Sequence, residues 1–103
     1  MMTTEKLYEI IDPKSKKKHK LKLADLWRLT FGAAGKYCHE KTKGMVGEQK
    51  RKAFAWCMVE TVQGLPTEEK AQRIVNLAMF PVDEYVERLE TRRLARELPS
   101  TIV

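Results

Sequence analysis

The chain has 103 residues, 43% hydrophobic and 33% charged, with a net charge of +6. That is one domain's worth of chain with the apolar content of a modest core, which excludes wholesale disorder and a two-domain layout. The longest stretch without a formal charge is nine residues, 74–82, far short of the ~20 apolar residues that cross a bilayer. No membrane contact is expected.

Charge is distributed unevenly. Residues 1–52 carry 14 Lys/Arg against 6 Asp/Glu, whereas residues 53–103 carry 6 against 8. Glu5 and Glu9 stand where a signal peptide would place its apolar segment, so an intracellular location is expected.

The first predicted element is a strand within residues 6–12, which end in the turn initiator Asp12-Pro13. Six lysines follow within nine residues: Lys14, Lys16, Lys17, Lys18, Lys20 and Lys22. Lys20-Leu-Lys-Leu23 alternates charged and apolar residues, as a half-buried strand does. Residues 6–23 therefore read as a β-hairpin with a basic tip, which must pack on the helices beyond it.

A first helix is predicted over residues 24–42, with Leu23, Trp27, Phe31 (or Thr30), Ala34 and Cys38 as its inward stripe and Leu26, Ala33 and Tyr37 beside it. Gly32 and Gly35 weaken it and open a flat Gly-Ala-Ala-Gly patch for a neighbouring helix. Gly44-Met-Val-Gly47 stops it. A second helix, residues 48–63, opens with the basic Lys50, Arg51 and Lys52 and turns Phe54, Cys57, Met58, Thr61 and Val62 inward. Because residues 53–59 are apolar nearly all round, this helix is expected to be central, with Trp56 off the main stripe as an interface anchor otherwise.

Gly64-Leu-Pro66 ends that helix, and Thr67 is a good N-cap for a third, which buries Ala71, Ile74, Val75, Ala78 and Met79. Phe80-Pro81 separates it from a fourth helix over residues 83–98. There Val82, Val86, Leu89 and Tyr85 face inward, and Arg93 pairs with Glu97 at i,i+4. The predicted fold is mostly α (α+β): one domain over residues 1–103, with a basic hairpin at 6–23 and a bundle of about four helices at 24–98.

No motif specifies a reaction. The Gly44-Met-Val-Gly47 loop resembles the phosphate-approaching GXXG clamp of KH domains, but its interior pair is apolar and no strand follows the second helix. Gly32-Ala-Ala-Gly-Lys36 lacks both the leading glycine and the trailing Ser/Thr of a P-loop. A helix-turn-helix across Phe80-Pro81 would present Asp83, Glu84 and Glu87 to phosphates, which repel them. His19, Cys38, His39 and Cys57 lack the paired spacings of a zinc module, so neither metal nor cofactor is implied. The two cysteines are expected as reduced core thiols, a disulfide requiring the first two helices to pack together.

Charge carries the functional expectation. A non-enzymatic binding or adaptor protein would contact nucleic acid or another acidic surface, without sequence specificity, through Lys14, Lys16, Lys17, Lys18, Lys20 and Lys22. Lys50, Arg51 and Lys52 extend the patch if they share its face. Lys16-Lys-Lys-His-Lys20 also fits a nuclear-import signal, if the source has a nucleus. The alternative is a protein–protein module, as an assembly component, a homo-oligomer or an inhibitor of a host protein, of the compact sort viruses and mobile elements encode. It would use Trp56 and the second helix, or the acidic face of Asp83, Glu84, Glu87 and Glu90.

Overall fold

In the computed structural model, which describes residues 6–64 and 67–97, the alternating N-terminal segment forms the expected hairpin. Strands β1 (Tyr8–Ile11) and β2 (Lys18–Leu21) pair antiparallel, with Tyr8 opposite Leu21 and Ile10 opposite His19. Four helices follow: α1 (Leu23–Lys41), α2 (Gly47–Val62), α3 (Glu68–Ala78) and α4 (Val82–Glu97). Leu65, Pro66 and Leu98, predicted to mark helix ends, lie outside the described residues.

The core lies where α1 crosses α3. Leu26, Leu29, Ala33 and Ala34 of α1 meet Ala71, Ile74 and Val75 of α3, with Ile10 of β1 and Val82 of α4 closing the ends. The α3 pattern buries as predicted except for Met79, which leaves the core as an exposed left-handed C-cap. Thr67 caps α3 by accepting the Lys70 backbone N–H at 3.1 Å. The Gly-Ala-Ala-Gly patch serves close packing on one side: a Cβ at Gly32 would meet the Phe80 ring at 3.4 Å.

The inward face of α1 differs from expectation. Leu26, Thr30, Ala33, Ala34 and Cys38 are buried as expected, but Leu29 joins them, whereas Leu23 and Phe31 are exposed. The apolar sector of α1 is wide enough for either choice, and α3 covers the Leu26–Leu29–Ala33 side. Buried Thr30 satisfies its hydroxyl by donating to the Leu26 carbonyl at 2.6 Å.

The second correction concerns α2. It is peripheral, with Val62 its one buried residue. The stripe of Phe54, Cys57, Met58 and Thr61 does turn toward α1, half-buried, but nothing among the described residues covers the opposite side. The third concerns the cysteines. Antiparallel packing of α1 and α2 brings the Cα atoms of Cys38 and Cys57 to 5.6 Å, and the sulfurs form a disulfide. The side chain of Glu97, expected partner of Arg93, lies outside the described residues; Arg93 donates to buried Asp25 at 3.1 Å.

Candidate polyanion interface

Period-two alternation sorts β2 into two faces. His19 and Leu21 turn inward, while Lys18 and Lys20 remain exposed on the outer face. Exposed Lys14, Lys16 and Lys17 continue this basic surface around the turn, and exposed Lys22 continues it into α1. All six lysines are thus exposed along the hairpin, from its turn to the start of α1. Glu9, across the strand pair from Lys20, approaches Lys18 at 3.6 Å and moderates one end.

The turn carrying these lysines is built on Asp12. One carboxylate oxygen accepts the backbone N–H groups of Lys14 and Ser15, at 2.8 and 3.1 Å. The other accepts the backbone N–H of Asp83 at 2.9 Å, so a hairpin residue caps the first turn of α4. Lys16, left-handed at φ 64°, closes the turn by donating its N–H to the Asp12 carbonyl at 2.9 Å.

Asp83 anchors the turn from the other side. Its carboxylate takes His19 Nε2 at 2.5 Å and also accepts from the Ser15 hydroxyl. The hydrogen bonds from Ser15 and then His19 hold the Asp83 carboxyl below its ordinary value of 3.8. Burial raises the Asp12 carboxyl, but the N–H groups of Asp83, Ser15 and Lys14, with His19 adding its charge, bring it below 3.8 as well.

Ser15, His19 and Asp83 have the composition of a hydrolytic triad but not its order. The Ser15 hydroxyl and His19 both address Asp83, and no base activates the hydroxyl. The constellation is a structural clasp. Sequence reasoning missed it because 64 residues separate His19 from Asp83; the turn-forming Asp12-Pro13 and an aspartate opening α4 are its traces in the chain. Among the described residues, no group of three or more His, Cys, Asp or Glu is placed to hold a metal ion.

The open edge of β1 is closed by α3. Gln72 accepts the Ile11 N–H at 2.8 Å and donates to the Ile11 carbonyl at 2.9 Å, occupying both groups as a neighbouring strand would. Glu68 accepts the Glu9 N–H at 3.0 Å. Glu9, Glu68 and Glu69, facing Lys18 and Arg73, line a shallow mixed-charge groove that bounds the ridge on this side.

The remaining site candidates are dispersed. α2 runs antiparallel to α1, so Lys50, Arg51 and Lys52 at its start lie by the C-terminal end of α1, away from the hairpin that feeds its N-terminus. They do not extend the ridge. Glu84, Glu87 and Glu90 are exposed, but Asp83 of that acidic set is engaged in the clasp. Trp56 is 64% exposed. No described helix is long and apolar enough to cross a membrane. Comparison with protein-family models, curated proteins and solved structures finds no match for this chain.

Proposed function

We propose that this protein is a non-enzymatic binding module whose hairpin ridge docks on nucleic acid or an equivalent polyanion without reading sequence. One observation supports the reading: all six hairpin lysines are exposed on an element that Asp12 and Asp83 clasp to α4. A preformed ridge loses less conformational freedom on binding than a mobile tail, so each lysine delivers more of its attraction to phosphates. No Phe, Tyr or Trp is interleaved with the lysines, and the His19 ring turns inward to Asp83, which supports phosphate contact over base stacking.

The test is fluorescence anisotropy with short duplex DNA, single-stranded DNA and RNA across a salt series. Contacts to about four or five phosphates give a slope of log K against log salt near −4 on duplex DNA. Replacing the six lysines with Gln is expected to abolish binding. Affinity indifferent to salt or to those lysines contradicts the proposal.

A second reading, a protein–protein module, is favoured by the outer side of α2. Trp56 and Val59 are each 64% exposed there. A groove of about 580 Å³ opens beside them between Trp27, Phe31, Met58 and Val62.

A further inference from the structure

The outer side of α2 carries a stripe that is its own complement. Gln49, Lys52, Trp56, Glu60 and Gln63 are all exposed. Spacings of three, four and four residues place Gln49, Lys52, Trp56 and Glu60 within an arc of about 80° at 100° per residue, and Gln63 follows as the left-handed C-cap of α2. That arc faces away from Cys57 and Thr61, which α1 covers. The order is symmetric about Trp56 in position and antisymmetric in charge: an amide at each end, a cation on one side and an anion on the other.

We infer that this stripe is a homodimer interface in which α2 packs antiparallel on α2 of a second copy, with the twofold axis at Trp56. In that register Lys52 faces Glu60 of the second copy, Glu60 faces its Lys52, and each Gln49 meets a Gln63. The two Trp56 rings meet at the centre, flanked by exposed Val59 and Ala55. A parallel pairing would oppose like charges at both positions, and an unrelated partner has no reason to match a stripe that matches itself. An outward Trp between flanking charges also suits a buried anchor with a polar rim. α2 is only about 24 Å long, so the contact falls below the ~1,600 Å² of a standard interface, and dissociation is expected in the micromolar range. This inference is independent of the polyanion reading.

Sedimentation equilibrium from low micromolar to submillimolar protein tests it, with circular dichroism confirming that the surface variants fold. The wild type should pass from monomer to dimer, and Trp56→Ala should weaken dimerisation roughly 30-fold. Lys52→Glu and Glu60→Lys should each weaken it at least about tenfold, and the double variant should recover, because the exchange restores opposite charges across the axis. A monomer at every concentration, a dimer indifferent to Trp56, or a double variant no better than the singles would overturn the interface.

Discussion

The hairpin and α2 use their residues in opposite ways. The hairpin is two four-residue strands joined by a lysine-rich turn, yet it is tied to α3 by Gln72 and Glu68 and to α4 by Asp12, His19 and Asp83. α2 has sixteen residues and an unbroken apolar run, yet it buries one side chain and adheres to α1 through a half-buried stripe and a disulfide. Apolar content did not determine which element became central. Partner geometry did: α1 and α3 fill each other's grooves, and the hairpin closes the open end with specific hydrogen bonds. The molecule thus ties its charged element down with specific hydrogen bonds and leaves a helix with an unbroken apolar run outward, the arrangement on which the proposed polyanion and self-association surfaces rest.

The comparison is broken most easily in the core. Leu29→Ala removes a fully buried side chain at the α1–α3 crossing and should cost about 3 kcal/mol, whereas Val59→Ala on the outer side of α2 should stay within about 0.5 kcal/mol. Urea unfolding of the two variants, measured below the dimerisation range, checks this; equal losses would show that α2 is not peripheral.

Removing the Cys38–Cys57 crosslink by Cys57→Ser should cost somewhat less, up to about 3 kcal/mol in the chain-entropy description of a loop this size. The effect should be local. Amide exchange in α2 should accelerate by up to about a hundredfold, and by less in α1 and α3, a pattern that mass spectrometry of peptic fragments resolves.

Asp12→Asn should cost about 1–2 kcal/mol by weakening the acceptor that serves three backbone N–H groups. The associated pH dependence has a definite sign. The carboxyls of Asp12 and Asp83 lie below 3.8 in the folded protein. Their stabilisation is therefore complete above that unfolded-state value and is lost as the pH falls through the folded values beneath it. Hairpin amides should lose protection as acid is added below about pH 4, and the Asp12→Asn variant should show less of this acid response. The smallest effect belongs to the strand edge: Gln72→Ala should cost about 1 kcal/mol and speed exchange at the Ile11 amide.

Local patterns were legible in the sequence, and long-range choices were not. Alternation at Lys20-Leu-Lys, the Thr67 cap and the i, i+3, i+4 spacing of Ala71, Ile74 and Val75 each specify an element through neighbours along the chain, and the structure contains all three. Rotation of α1 depended on which of two apolar sides α3 would cover, so Thr30 is buried in place of Phe31, with Leu29 beside it. Helix α2 read as central because an apolar run does not reveal that no partner covers its outer half, the half on which Trp56 lies off the main stripe. The lysine ridge was visible as composition. Its clasp was not, since Asp12, His19 and Asp83 meet only once α4 has docked on β2. The cysteines depended on the same choice: the sequence allowed a disulfide only if the first two helices packed together, and it did not show that they would.

Amide chemical-shift mapping of the wild-type protein tests the division of labour most directly. Two titrations are compared, one with a short DNA duplex at low salt and one in protein concentration alone. DNA is expected to shift the amides of residues 14–22 and leave residues 49–63 in place, while concentration does the reverse. DNA shifts centred on α2, or a hairpin unmoved by DNA, would contradict that division.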